Sequence, residues 1–437
     1  MLTFRDHFLS VFQSAAADYA SKAPVDEARS SMTTGGADFI RAAGEVAELR
    51  SKGLSETAEV EEGLADIPRI CASLGLRYLE AAAMGDPGRA SRIKEQLTGG
   101  ACDPAWASTL VEYAKYFGVS GTRGTIPYRR PSEIGSRTIP IRPGCRIAIF
   151  GDWGTGAGPA RRILQAISVQ KPDLLLHLGD IYYSGTAEEC SVNFAGVIRD
   201  VFSERPIPTY TLAGNHDMYS GGGGYYDLIA NLNDGPAAQK TSFFCLRTTD
   251  SAWQVLAMDT GLHDYSPLSV TDALTFVEDE EQSWLSERVR EFSGRTILVS
   301  HHQLFSAFSQ IGKPTAEGKL LFHNPSLLEL LRKLQGVGDI AAWFWGHEHN
   351  LCIYEPHSGL ERGRCVGHAA IPIFEEETPY RILDGLTDPP VLRPGTQLPV
   401  RDGAFAHGYV ILALGAGNEQ AHAQYFTDDG LLYAETF

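Results

Sequence analysis

Nowhere in this 437-residue chain do eighteen apolar residues run together, so the sequence offers no helical membrane span. Nor does it open like a secretory leader. Asp6 and His7 interrupt the stretch where such a leader needs unbroken apolar residues, so a cytoplasmic protein is expected, with a processed secreted form as the alternative. Cysteine is sparse: the seven, at 71, 102, 145, 190, 245, 352 and 365, show no paired zinc-like spacing and an odd total. That excludes a disulfide framework and leaves reduced, core-filling thiols. Positive charge is also short, 37 Lys and Arg against 54 Asp and Glu, for a net −17. Nucleic acid and anionic membrane are therefore not expected partners. An anionic substrate would need a local positive focus, which bound metal cations could supply. No Ser or Cys stands in a convincing nucleophile elbow, and no internal repeat is visible.

The length suits one oversized or two ordinary domains. Residues 1–118 read as a helical domain. Phe4, Phe8, Phe12 and Ala15 line one face of a first helix, after Thr3 and Asp6 at its start. A second helix is expected over 37–49. A third begins near Thr57 with Val60, Leu64, Ile67, Cys71, Leu74 and Tyr78 in helical register, kinked or divided at Pro68. A fourth, over 104–117, carries Trp106, Leu110, Tyr113 and Phe117. These faces suit a packed core better than ligand contact. The region bears no reactive constellation, leaving a cap, an oligomerisation surface or a protein-partner module open. Residues 119–144, rich in Gly, Pro, Ser, Thr and Arg, read as a surface linker, and Arg129-Arg130 as a small solvated basic spot.

From Cys145 to the end, short apolar runs alternate with helical segments in α/β fashion. Strands are expected at 146–150, 174–178, 208–213, 241–247, 253–258, 296–300 and 340–345. Further β-rich stretches lie at 365–373, 408–414 and 422–435, with helices near 159–169, 192–202 and 225–232. The acidic run 278–281 suits the N-terminus of another helix. One sheet would struggle to hold so many strands, so two sheets packed face to face with helices outside are expected.

Five of these runs end in polar groups, the position where α/β proteins place their chemistry. They are Gly151-Asp152-Trp153-Gly154, Gly179-Asp180-Ile181-Tyr182-Tyr183, Gly214-Asn215-His216-Asp217, His301-His302 and Gly346-His347-Glu348-His349. Carboxylate, amide, phenol and imidazole together read as a metal site for two ions. Asp152 and Asp180 are hard oxygen ligands, and a carboxylate can bridge two cations. His347 and His349 would face one way on a continuing strand, or reach different metals from a turning loop. Glu348 between them should point away.

The ordered set Gly-Asp, Gly-Asp, Gly-Asn-His-Asp, His, Gly-His-x-His resembles that of the calcineurin-like metallophosphoesterases, over residues 145–437. The opening Gly151-Asp152-Trp153-Gly154, and Tyr183 three residues after Asp180, resemble the purple acid phosphatase branch. The resemblance implies a metallophosphoesterase-like α/β sandwich. In it Asp152, Tyr183 and His349 would serve a ferric ion, and Asp180 would bridge. Asn215, His301 and His347 would serve a second ion of iron, zinc or manganese. Asp180 and His216 would be the catalytic residues, His216 beside the substrate without binding either metal. Tyr182 is the adjacent alternative phenol, which an alternating backbone would turn elsewhere. The implied reaction is hydrolysis of a small phosphorylated substrate. Hydroxide on the two metals would attack phosphorus, and His216 would stabilise the transition state or protonate the leaving group.

Two departures stand out. The branch carries a further histidine about ten residues after the position of His301, where this chain reads Phe308-Ser309-Gln310-Ile311, and Gln303 replaces a usual proline. His302 or His323 could stand in through folding. Phe305, Phe308, Lys313, Lys319 and His323 could form a mixed apolar and basic wall, with Trp153, Tyr182 and Tyr219 as an aromatic face. A phosphomonoesterase is the leading reading. A phosphodiesterase acting on nucleotides or lipid head groups, and a non-enzymatic interaction protein, are the alternatives.

Overall fold

Strand after strand in this chain is apolar at consecutive positions, the pattern of a sheet covered on both faces. The computed structural model describes residues 88–89, 92, 112, 115–117, 125–135, 137–265, 273–316, 318–401 and 403–437. The helices expected at the start, over 37–49 and from Thr57 lie outside these residues. Of the one expected over 104–117, the described positions 112 and 115–117 are helical.

Two mixed sheets form the body. The parallel half of one is β2 (Arg146–Phe150), β3 (Leu174–His177) and β4 (Thr209–Thr211). Antiparallel β13 (Gly408–Ala413), β14 (His422–Thr427) and β15 (Gly430–Thr436) extend it, for the order β15-β14-β13-β2-β3-β4. In the other sheet β6 (Trp253–Ala257), β7 (Arg295–Val299), β8 (Ile340–Trp345) and β10 (Gly363–Val366) are parallel. Strand β9 (Leu351–Ile353) closes one edge, while β5 (Phe244–Thr248) and β1 (Ile139–Ile141) close the other. Its order is β1-β5-β6-β7-β8-β10-β9. A short ribbon pairs β11 (Val400–Arg401) with β12 (Ala404–Phe405).

The two-residue period of a strand assigns each side chain to a layer. Ile147 and Ile149 of β2 meet Val255, Ile297, Val299 and Phe344 in the core between the sheets. Ala148 and Phe150 face outward, under helix α1 (Gly158–Val169) and the helical segment 187–201. Helix α2 (Gly223–Asn231) begins within four consecutive glycines, Gly221–Gly224. On the opposite flank Leu298, Trp343 and Trp345 lie under α3 (Asp279–Arg290) and α4 (Pro325–Gln335). The expected helices do not include α4, although Asn324 caps it through Ser326 and Leu327 N–H. No helix among the described residues is long and apolar enough to cross a membrane.

The segment expected as a surface linker is partly built into the body. Its residues 139–141 are strand β1, paired in parallel with β5. Ahead of them Tyr128 donates a hydrogen bond to Glu281 at 2.9 Å, and Arg130 pairs with exposed Glu280. Farther back, the Tyr116 ring lies over Gly221, and Phe117 stacks on Tyr265 at 4.9 Å.

Candidate metal centre

Parallel strands β2, β3 and β4 of one sheet, and β7 and β8 of the other, release their chains at one end of the sandwich. The exits of β2, β3 and β8 bend sharply. Asp152, Asp180, His347 and His349 all take positive φ, at 56°, 74°, 68° and 37°. Non-glycine residues adopt that region at a cost, and they concentrate at functional sites. Glycines in the motif loops allow close approach. A Cβ on Gly214 would lie 2.1 Å from Asp180 Oδ1, and one on Gly346 would lie 2.7 Å from Asp152 Oδ2.

Two groups of buried donor atoms result. Asp152, Asp180 and His349 form one, and His301, His302 and His347 the other, the atoms within each lying within 4.8 Å of one another. In the first, His349 Nε2 is 3.2 Å from Asp152 Oδ1. In the second, Asn215 Oδ1 is 3.1 Å from both His301 Nε2 and His347 Nδ1, which are themselves 3.2 Å apart. Asp180 Oδ2 lies 3.4 Å from His301 Nε2 and so stands between the groups. His301 Nδ1 is anchored on the Leu178 carbonyl at 2.8 Å, which turns Nε2 inward. The His347 N–H donates to Asp152 Oδ2 at 2.8 Å, joining the loops of the two sheets.

The phenol in the first group is that of Tyr182. Its hydroxyl lies 3.1 Å from Asp152 Oδ1, 3.2 Å from Asp180 Oδ2 and 3.0 Å from His349 Nε2. These contacts correct the expectation that Tyr182 turns elsewhere. Alternation does not extend that far, because β3 ends at His177 and both Gly179 and Asp180 have positive φ. Tyr183 meets His216 Nδ1 through its carbonyl, at 2.7 Å, and Glu189 through its N–H. His216 is held beside the shared carboxylate. Its N–H donates to Asp180 Oδ1 at 3.0 Å, its Nε2 is 4.0 Å from Asp180 Oδ2, and its ring packs on Tyr182 at 4.5 Å.

The electrostatics are those of a pocket that attracts cations. Burial alone would raise Asp180, yet His301 and then His216 hold its carboxyl well below the usual range. Burial alone would lower His301, yet Asp180 and then Asp152 bring it up to about 9. Burial lowers His216 despite Asp180. Tyr182 is raised well above the usual phenol by burial, then by Asp152 and Asp180. Buried carboxylates, amide oxygen, phenol and imidazole form a hard-to-borderline donor set, suited to iron, manganese or zinc and not to soft ions. The residues present thus fit a dinuclear metal centre.

Several expected roles fall elsewhere. Trp153 is fully buried against Phe150 and Phe194, its indole donating to the Ala160 carbonyl, and Phe305 and Phe308 belong to the core under α3 and α4. They provide no open wall, because each is packed in a buried cluster. His323 is in neither donor group and forms a bridge with Phe305, while Lys319 is exposed. The Gln310 amide donates to the Gly312 carbonyl. His302, by contrast, does reach the centre, with Nε2 3.1 Å from Asp264 Oδ2 and its backbone N–H on Thr260 Oγ1. Glu348 points away and accepts from Ser306 and Ser309 at 2.5 and 2.6 Å.

Sequence reasoning overlooked the latch made by Asp217. Its carboxylate accepts from the N–H groups of Gly214, Asp180 and Ile181 at 2.8, 3.0 and 3.2 Å, tying two motif loops together. Burial and then the charge of Asp180 push it up to about 8. Its place at the end of Gly-Asn-His-Asp was the available signal. Asp264 left none, since 38 residues separate it from His302.

Residues 145–351 match the family described as Calcineurin-like phosphoesterase. Tartrate-resistant acid phosphatase type 5 of Mus musculus is 25% identical over 242 residues, 50% of this chain and 70% of that one. The Homo sapiens protein of the same name is 24% identical over 247 residues, covering 50% and 71%. Among solved structures, GAP50, the anchor in the inner membrane complex of Plasmodium, aligns at a TM-score of 0.42 and 14% identity. That alignment covers 67% of this chain and 89% of the other.

Proposed function

This chain has a calcineurin-like metallophosphoesterase fold with homology to the purple acid phosphatases, and from that premise we propose that it hydrolyses small phosphomonoesters at a dinuclear metal centre. The observation that carries this is the meeting of two buried donor groups across Asp180, at the carboxyl ends of strands from both sheets. Asp152, His349 and a tyrosine would hold a ferric ion, and Asp180 would bridge. Asn215, His301 and His347 would hold a divalent iron, zinc or manganese. When bound, such a pair supplies the positive clamp for phosphoryl oxygens and lowers the pKa of water.

The chain's own groups have distinct tasks in this reading. Asp180, touched by His301 and by the His216 N–H, keeps the two groups in register. His216 holds Nδ1 against the Tyr183 carbonyl and carries Nε2 beside the shared carboxylate, 4.0 Å from Asp180 Oδ2, where it would meet a substrate oxygen or the leaving group. Asp217 keeps Asn215 and Asp180 at fixed separation through three backbone N–H groups. For the tyrosine we favour Tyr182 on the contacts of its hydroxyl. Tyr183 is the residue the family pattern designates. We further propose that residues 1–118 form a separate helical domain, since the family match begins at 145.

Metal analysis of the native protein, joined to hydrolysis of matched mono- and diester substrates, tests the reading. Two ions per chain and faster monoester cleavage are expected. Diester preference would move the assignment to a phosphodiesterase. Metal-loaded protein that cleaves neither would favour a binding role, and protein that retains no metal would remove the basis of the proposal.

A further inference from the structure

Of the oxygen donors at the centre, Asn215 alone has an end that cannot serve. An amide offers one oxygen that accepts and one NH2 that only donates, so a reversed amide would turn hydrogens toward the cations. Something must decide its orientation. Asn215 Oδ1 faces His301 Nε2 and His347 Nδ1, both at 3.1 Å. Its Nδ2 donates to the Tyr219 hydroxyl at 2.5 Å. The two are brought together by a short 3-10 turn, His216–Met218, with Asn215 and Tyr219 at its ends. The Met218 N–H donates to the Asn215 carbonyl at 3.0 Å and closes that turn. Tyr219 is 1% exposed, and its ring packs against His216 at 4.6 Å, so the hydroxyl is held in a narrow site.

We propose that Tyr219 is a positioning residue that fixes the Asn215 amide with its oxygen toward the metal centre. The inference deepens the proposed function and rests on Asn215 being a ligand there. It assigns Tyr219 no contact with substrate. Groups that orient a ligand in this way typically change metal affinity 10–100-fold when removed.

The test is a thermodynamic cycle in the full chain. Metal-stripped native protein, Tyr219→Phe, Asn215→Asp and the double variant are each titrated calorimetrically with zinc alone, and their metal-free thermal unfolding is followed alongside. Zinc binding at one of two steps should weaken about tenfold in Tyr219→Phe. The other step should move little. In the Asn215→Asp background both ends of the side chain are oxygens, so removing the Tyr219 hydroxyl should no longer matter. A Tyr219→Phe protein that binds both ions as the native one does overturns the inference. So does an equal loss with Asp at 215, which would make the hydroxyl a packing group only. Native protein that fails to take up zinc at all would instead sink the metal-centre reading.

Discussion

At the scale of single residues, the phenol is the sharpest point at issue. Tyr182 and Tyr183 are neighbours, and a strand would send them to opposite sides. The backbone is no longer a strand there, and the hydroxyl beside Asp152, Asp180 and His349 is that of Tyr182. Burial and two carboxylates keep this phenol protonated in the absence of a cation. A trivalent ion would reverse that balance. Iron-loaded Tyr182→Phe protein should therefore lose visible phenolate-to-iron absorption, while Tyr183→Phe retains it. The opposite pattern in visible spectra of the two variants would return the role to Tyr183. The same local logic explains the glycines. With a Cβ on Gly214 only 2.1 Å from Asp180 Oδ1, Gly214→Ala must move either the loop or the carboxylate. A misplacement near 1 Å can cost about 100-fold in rate. Steady-state hydrolysis by Gly214→Ala should fall by at least that order, and a rate within twofold of native would contradict the close packing described.

Elements hold the site by burying groups that would rather be charged. His177 ends β3, pairs with Thr211 of β4 through Nδ1 at 2.9 Å, and packs among Phe150, Trp153 and Phe194. Burial pushes it down to about 3. His368, which follows β10, is 1% exposed and is likewise lowered to about 3, by burial and then by His407. In the unfolded chain both rings take up protons near pH ~6.5. Between that pH and about 3 the unfolded state therefore binds more protons, and stability must decline as pH falls. The slope approaches about 1.4 kcal/mol per pH unit for each ring. Above pH ~6.5 neither ring contributes to pH dependence. Urea unfolding from pH 7 to 4 should show this decline, and His177→Asn, able to keep the Thr211 contact, should flatten it. An unchanged slope in that variant would mean that its ring is protonated in the fold.

For the whole molecule, the centre acts as a fastening between two sheets. The first donor group comes from β2, β3 and the loop after β8, the second from the ends of β7 and β8, with Asn215 following β4. Cations bound there stabilise the folded form by mass action and offset the repulsion among its carboxylates. Chelation should lower the thermal midpoint by several degrees, with recovery on adding metal back. Calorimetric scans of native and stripped protein measure this. Identical midpoints would argue against ions that bridge the sheets.

Much of this architecture is legible in the order of the amino acids. The ligand types, their succession and their location after apolar runs depend on residue identity and strand period, both local properties. The two-sheet sandwich follows from the number of strands. Three matters depend on tertiary structure. The direction of Tyr182 depends on positive φ at Gly179 and Asp180, which ends the alternation on which strand reasoning relies. The burial of Trp153, Phe305 and Phe308 depends on which layer each meets. The links from Asp217 to the Asp180 loop and from Asp264 to His302 join residues 36 to 38 apart in sequence, and no short-range pattern encodes those pairings. Sequence alone determined which chemical groups stand at the strand ends. Only the packing of one sheet on the other decided which of them face a common point, because convergence depends on distances between strands that the chain reaches from opposite halves.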